Sequence, residues 1–125
     1  MSFAGKRILL TGAAGGLGET AAKALAGQGA TLILCSRNRE KLEEMAASLP
    51  GGPHEVVAAD LTEPGAVQSI IEQSGQIDIL IANAGIAWPD TPGESMSDEV
   101  WHKVVDVNLN GVYWCCREFG RAMLE

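Results

Sequence analysis

Four short runs of apolar, largely branched residues recur along the chain, with stretches of helical length between them. This alternation limits the possible folds more than any other feature. The runs are RILLT (7–11), TLILC (31–35), EVVAA (55–59) and IDILIA (77–82). Strands with one wet face alternate apolar and polar residues, whereas continuous runs of this length suit strands covered on both faces, as in a parallel sheet. The intervening stretches predict helices over 16–28, closing at Gly29; over 39–49, closing before Pro50; and over 63–73, opening after Thr62 as a cap.

Strand and helix alternating through right-handed crossovers predict an α/β fold with a doubly wound parallel sheet, a Rossmann fold, its first four strands in the order 3-2-1-4. The first and fourth strands are then neighbours whose connections leave to opposite faces, and their carboxyl ends border a crevice. All 125 residues read as one domain without repeat or linker. After the fourth run comes the loop IAWPDTPGES, then two helices with little break between them. Ser97 is placed to cap the first, with Asp98 and Glu99 near the positive end of its dipole. Val100 with Val104 and Trp101 with Val105 form apolar pairs on it, and Val112, Cys116, Phe119 and Met123 form a stripe expected to pack into the core.

Into the crevice project TGAAGGLG (Thr11 to Gly18) after the first strand and Asn83-Ala84-Gly85 after the fourth. Glycines allow a tight turn and keep Cβ atoms away from an approaching ligand, and the free N–H groups opening the next helix attract phosphate. A glycine-rich turn in this strand-to-helix setting points to a dinucleotide pyrophosphate. An acid near the end of the second strand would accept hydrogen bonds from the adenosine ribose. The place reads Cys35-Ser36-Arg37-Asn38, without a carboxylate and with a guanidinium suited to a phosphate, so NADP is favoured over NAD. A hydrogen bond to a charged group contributes about 1.5–3 kcal/mol, so one arginine gives preference without exclusion.

The net charge of −7, with no basic stripe, argues against nucleic-acid binding. No apolar segment reaches membrane-spanning length and MSFAGKRILL does not fit a signal peptide, so a cytoplasmic location is expected, without membrane partners. Cys35, Cys115 and Cys116 lack metal-ligand or disulfide spacing and read as reduced, buried thiols. His54 and His102 have no ligand or nucleophile partners and read as structural or simply exposed. No metal site is expected.

TGAAGGLG, the pair Asp60-Leu61, ANAG (Ala82 to Gly85) and VDVNLNGV around Asn108 together resemble the short-chain dehydrogenase/reductase family, in that family's order and spacing over essentially the whole chain. The resemblance implies that Gly12, Gly16 and Gly18 shape the pyrophosphate turn, that Leu17 donates a backbone N–H, and that Ala14 and Gly15 lie near the adenosine ribose. It implies that Asp60 and Leu61 border the adenine, with Ser36 and Arg37 at the adenosine end, and that Asn83, Ala84 and Gly85 line the way to the nicotinamide ribose. Ala82 stands where the family usually has asparagine, and Gly15 where NADP-preferring members often carry a basic residue, which leaves the preference to Arg37. The opening motif fits both T-G-x-x-x-G-x-G of the single-domain branch and T-G-x-x-G-x-x-G of the extended, nucleotide-sugar branch; Asn83-Ala84-Gly85 and Asn108 favour the first.

The implied reaction passes hydride between nicotinamide and a small-molecule carbonyl or alcohol, with a tyrosine and a lysine four residues on as the acid–base pair, and with Asn108 in a supporting catalytic role. Tyr113 with Arg117 is the one matching spacing, but it lies too close after Asn108, and a surface or packing pair is expected. The sequence ends where the catalytic half would begin, so the 125 residues are expected to bind cofactor weakly without turnover. Self-association as a homo-oligomer, or pairing of the IDILIA edge with a missing carboxyl-terminal half, is expected. The alternatives are a non-catalytic nucleotide-binding or assembly module and a fragment of an extended-branch nucleotide-sugar enzyme.

Overall fold

The computed structural model describes residues 2–125. Four parallel strands, β1 (Arg7–Thr11), β2 (Thr31–Ser36), β3 (Glu55–Ala58) and β4 (Ile79–Ile81), form one sheet in the order β3-β2-β1-β4. Helices α1 (Gly16–Gly27), α2 (Arg39–Ser48) and α3 (Ala66–Ser74) make the crossovers. After β4 come a single 3-10 turn (Gly93–Ser95), α4 (Asp98–Val105), a π-helical segment (Asp106–Gly111) and α5 (Val112–Leu124). The doubly wound α/β arrangement and its strand order are those the apolar runs predict.

Two cores flank the sheet because alternate residues of each strand point to opposite faces. Ile8, Leu10, Leu32 and Leu34 pack with Ala22, Ala26, Leu42 and Met45 of α1 and α2, whereas Leu9, Ile33, Cys35 and Val57 pack with Ile70 of α3 and Cys115 and Phe119 of α5. Only β1 and β2 are covered throughout. β4 pairs with β1 on one side, and all three of its residues are half-buried.

Polar side chains tie the amino-terminal end of the sheet. Arg7 Nη1 meets Glu55 at 2.5 Å, while Nε and Nη2 donate to the Gln76 and Ser74 carbonyls at 2.9 and 2.6 Å. The guanidinium thus joins three neighbouring segments and lies at the carboxyl end of α3, where a cation is favoured by the helix dipole. His54 is a structural residue: Nδ1 accepts from the Leu32 N–H at 3.1 Å and Nε2 donates to the Pro50 carbonyl at 2.9 Å.

Several local expectations need correction. Thr62 does not cap α3; its N–H and hydroxyl both turn back to Asp60 Oδ1, and the helix opens only at Ala66, after Gly65 in the left-handed region (φ 78°). On α5 the buried positions are Cys115 and Phe119, continuing from Gly111, while Cys116 and Met123 are exposed. The inward face runs through Gly111, Cys115 and Phe119, so of the stripe read from Val112 only Phe119 is fully buried. Cys116 is therefore not a buried thiol. Trp101 is 59% exposed, and α4 has no fully buried residue. Ser97 does cap α4, accepting from the Val100 N–H at 3.2 Å.

Candidate functional site

At the carboxyl ends of the strands opens a cavity of about 870 Å³. Four strand ends and one helix line it: Thr11, Gly12 and Ala14–Gly18 after β1; Cys35–Asn38 after β2; Ala59–Thr62 after β3; Asn83–Ile86 after β4; and Lys103, Asp106 and Val107 from α4 and the π-helical segment. This is the crevice that the 3-2-1-4 order demands, because the chain leaves β1 and β4 in opposite directions.

The turn after β1 separates glycines required by the fold from glycines that leave room. Gly12 has φ +64°, and a β-carbon there would lie 2.8 Å from the Ala84 Cα. A β-carbon on Gly18 would collide with the Gly12 carbonyl oxygen. Both are needed for the turn to pack against the next helix and against the β4 loop. Around Gly16, by contrast, a β-carbon would meet nothing within 4 Å, and around Gly15 only the Gly12 oxygen at 3.5 Å. Both are exposed and border the cavity. Gly15 is the cap residue of α1 and brings no side chain to its first turn, so the amides there are left to whatever occupies the cavity. A phosphate group fits this cradle, since a side chain at either position would stand in its space.

Thr11 and Asn83 stitch the two central strand ends together. The Thr11 hydroxyl accepts from the Asn83 and Ala84 N–H groups, both at 3.0 Å, and the Asn83 carboxamide donates to the Thr11 and Gly12 carbonyls, both at 3.3 Å. Ser36 accepts from the Asn38 N–H at 3.2 Å, and Asn38 in turn caps α2 through Lys41 N–H. That hairpin-like turn leaves Arg37 at its exposed tip beside the cavity.

Asp60 is held by Thr62, whose hydroxyl and N–H donate to Oδ1 at 2.7 and 2.9 Å. These two bonds, with Arg37 and Lys103 nearby, hold its carboxyl below the usual carboxylate range. Burial works the other way on Cys35, whose thiol is pushed up to about 12, with Cys115 adding to the shift. Cys35 is thus protonated near neutrality and no nucleophile, although it borders the cavity.

Every cofactor-binding candidate from the sequence lies on this cavity: Gly12, Ala14, Gly15, Gly16, Leu17, Gly18, Ser36, Arg37, Asp60, Leu61, Asn83, Ala84 and Gly85. Asn108 does not. Its carboxamide accepts from the Ile86 N–H at 2.7 Å and donates to the Ile86 carbonyl at 2.8 Å, which braces the loop after β4. Tyr113 also lies outside the lining, with the Arg117 guanidinium 5.4 Å from its ring centroid, a surface cation–π pair as its spacing suggests. Thr62, Lys103, Asp106 and Val107 also line the cavity, although none of them has a binding role in the sequence reading. The last three stand at i, i+3 and i+4, one helical face, a signal open to any reading that weighs charged as well as apolar periodicity.

The sequence model of the family described as "short chain dehydrogenase" matches residues 6–125. Over 122 residues the chain is 34% identical to a 3beta-hydroxysteroid dehydrogenase of Mediterraneibacter gnavus, covering 93% of this chain and 44% of that protein. Among solved structures, a short-chain type dehydrogenase/reductase from Mycobacterium marinum superposes with a TM-score of 0.90 at 32% identity, over 98% of this chain and 51% of that one. A 3-ketoacyl-(acyl-carrier-protein) reductase from Brucella melitensis, complexed with NADH, gives 0.84 at 34% identity, over 94% and 50%. The chain spans about half the length of the curated relatives it matches.

Proposed function

The chain belongs to the short-chain dehydrogenase family, and from that premise we propose that it carries the dinucleotide-binding part of an NADP-dependent oxidoreductase interconverting a small carbonyl compound and an alcohol. One observation carries the reading: a single cavity has an open, side-chain-free helix terminus beside β1 and an exposed arginine beyond the end of β2. The first receives the pyrophosphate, and the second selects the phosphorylated adenosine.

In this reading Gly16 leaves space for the pyrophosphate, Leu17 donates its N–H, and Ala14, Gly15 and Ser36 border the adenosine ribose. Asp60 and Leu61 flank the adenine. Asn83, Ala84 and Gly85, fastened to Thr11, line the path to the nicotinamide ribose. When bound, the nicotinamide gives hydride to, or takes it from, the reacting carbon. Asn108 serves by holding the Ile86 backbone in place, as a positioning residue. Among the described residues no tyrosine lines the cavity, so Tyr113 has no part in protonating the carbonyl oxygen. No described helix is long and apolar enough to cross a membrane. A cytoplasmic location and self-association remain part of the proposal.

The test is a fluorescence titration of NADPH and of NADH against the protein and its Arg37→Asp variant. The unaltered protein is expected to prefer NADPH by about tenfold, and the variant to lose that preference. Equal affinities in both proteins overturn the NADP assignment, and binding of neither cofactor overturns the dinucleotide reading.

A further inference from the structure

The charge around Asp60 does not balance with Arg37 alone. Asp60 borders the adenosine end of the cavity with its carboxylate fixed on Thr62. A phosphomonoester carries about −1.5 to −2 charge near neutrality. Facing one guanidinium and one carboxylate, it would meet no net positive charge. The glycine-rich turn cannot help, since TGAAGGLG has no charged side chain.

Lys103 supplies the difference. It lines the same cavity from α4, as Arg37 does from the turn after β2. Its charge, like that of Arg37, is felt at the Asp60 carboxylate. Among the described residues, neither Lys103 nor Arg37 forms a salt bridge; the basic partners in such pairs are Arg7, Lys23, Arg39, Arg117 and Arg121. Lys103 thus has Glu99 and Asp106 within one helical turn, yet is committed to neither. Arg37 and Lys103 are therefore both free to face an anion beside Asp60, while Asp106, the other carboxylate on the cavity, is engaged by the Asn110 carboxamide at 2.8 Å.

We propose that Lys103 is a specificity-determining residue, the second cation that lets this end of the cavity take a 2′-phosphorylated adenosine in spite of Asp60. The proposal rests on the dinucleotide reading of the cavity. Arg37 supplies the planar fork; Lys103 supplies a flexible point charge that settles on the remaining phosphate oxygens.

Calorimetric titration with adenosine 2′,5′-bisphosphate and with adenosine 5′-monophosphate tests this in the unaltered protein and in Lys103→Gln and Lys103→Arg. Lys103 is exposed on a helix surface, so neither substitution disturbs a core. Lys103→Gln is expected to weaken the bisphosphate about fivefold or more, leave the monophosphate within about twofold, and show a smaller loss at high salt. Lys103→Arg is expected to restore the preference. An unchanged ratio of the two affinities in Lys103→Gln, while the unaltered protein discriminates, overturns the role of Lys103 and leaves the NADP assignment standing. Equal weakening of both probes also overturns it. An unaltered protein that does not discriminate between the probes overturns both.

Discussion

Asn108 grips the backbone of Ile86 from both sides, accepting from its N–H at 2.7 Å and donating to its carbonyl at 2.8 Å. The pair joins the π-helical segment to the loop after β4, across a separation of 22 residues. Gly85 lies against the same carboxamide, and a β-carbon there would touch Asn108 Oδ1 at 3.4 Å, an ordinary contact distance. The other end of the same loop is fastened to β1 through Thr11. One wall of the cavity is therefore set by two anchors, neither of which has to touch a ligand.

Replacing Asn108 by alanine removes one anchor and leaves the other. Both hydrogen bonds are solvent-exposed, so the cost to stability is expected to be about 1 kcal/mol. Amide exchange at Ile86 should accelerate while that of the β1 and β2 amides stays unchanged. Asn108→Asp keeps the acceptor but loses the donor, and should fall between. Unaltered exchange at Ile86 in the alanine variant would remove Asn108 from its positioning role.

Two glycines of the same turn should respond in opposite ways to an added methyl. Gly12→Ala forces a left-handed residue 2.8 Å from the Ala84 Cα, so it should destabilise the fold by a few kcal/mol. Gly16→Ala meets nothing within 4 Å and sits at the start of α1, so stability should hold or rise by about 0.5–1 kcal/mol. Its methyl stands where the pyrophosphate is proposed to lie, and NADPH affinity should drop. Thermal melts and cofactor titration separate the two effects. A Gly16→Ala protein that binds NADPH as tightly as the original would free the cradle of its proposed ligand.

What could be read from the sequence was whatever depends on period and turn chemistry. The runs at 7–11 and 31–35 are continuous because both faces of β1 and β2 are covered, and from that the sheet, its order and the crevice follow. The glycine-rich turn and Asn83 were legible because only certain residues suit such places. Features set by tertiary contact were not. The face of α5 is chosen by the sheet and α3 that it packs against, where Cys115 and not Cys116 sits with Cys35 and Ile70. Thr62 looked like a helix cap because threonine serves both as cap and as partner to a carboxylate two residues back, and here Asp60 wins. Lys103 reads as an ordinary surface lysine until the fold brings it to the same cavity as Arg37.

The Thr62–Asp60 contact predicts a pH signature. The folded carboxyl titrates below its ordinary value, chiefly through the Thr62 hydroxyl and then its N–H. The associated stability is thus fully present above the ordinary value near 3.9 and is lost as pH falls through the depressed one. Thr62→Val removes the hydroxyl and keeps the N–H. Its Asp60 resonance, followed by NMR, should titrate at higher pH than in the unaltered protein. The variant should also lose less stability as the pH falls below the ordinary carboxylate value. The same titration midpoint in both proteins would contradict the contact.

At alkaline pH the signature comes from the buried thiols. Burial pushes Cys35 up to about 12 and Cys115 up to about 11, from an ordinary 9.0. Unfolding frees both to ionise at the ordinary value, so the unfolded state gains by releasing protons once the pH passes that point. The contribution to stability is intact below about pH 9 and is lost as pH climbs through the folded values. Each thiol adds a slope of at most about 1.4 kcal/mol per pH unit. Denaturant midpoints should therefore fall above pH 9, and Cys35→Val, which fills a similar volume without a proton to lose, should fall less steeply. Native maleimide labelling at pH 8 gives an independent check, because Cys116 is exposed while the other two are buried: one thiol should react quickly, and two only on unfolding. Three fast thiols, or identical alkaline slopes in the two proteins, would mean that Cys35 and Cys115 are not sealed into the core between the sheet and α5.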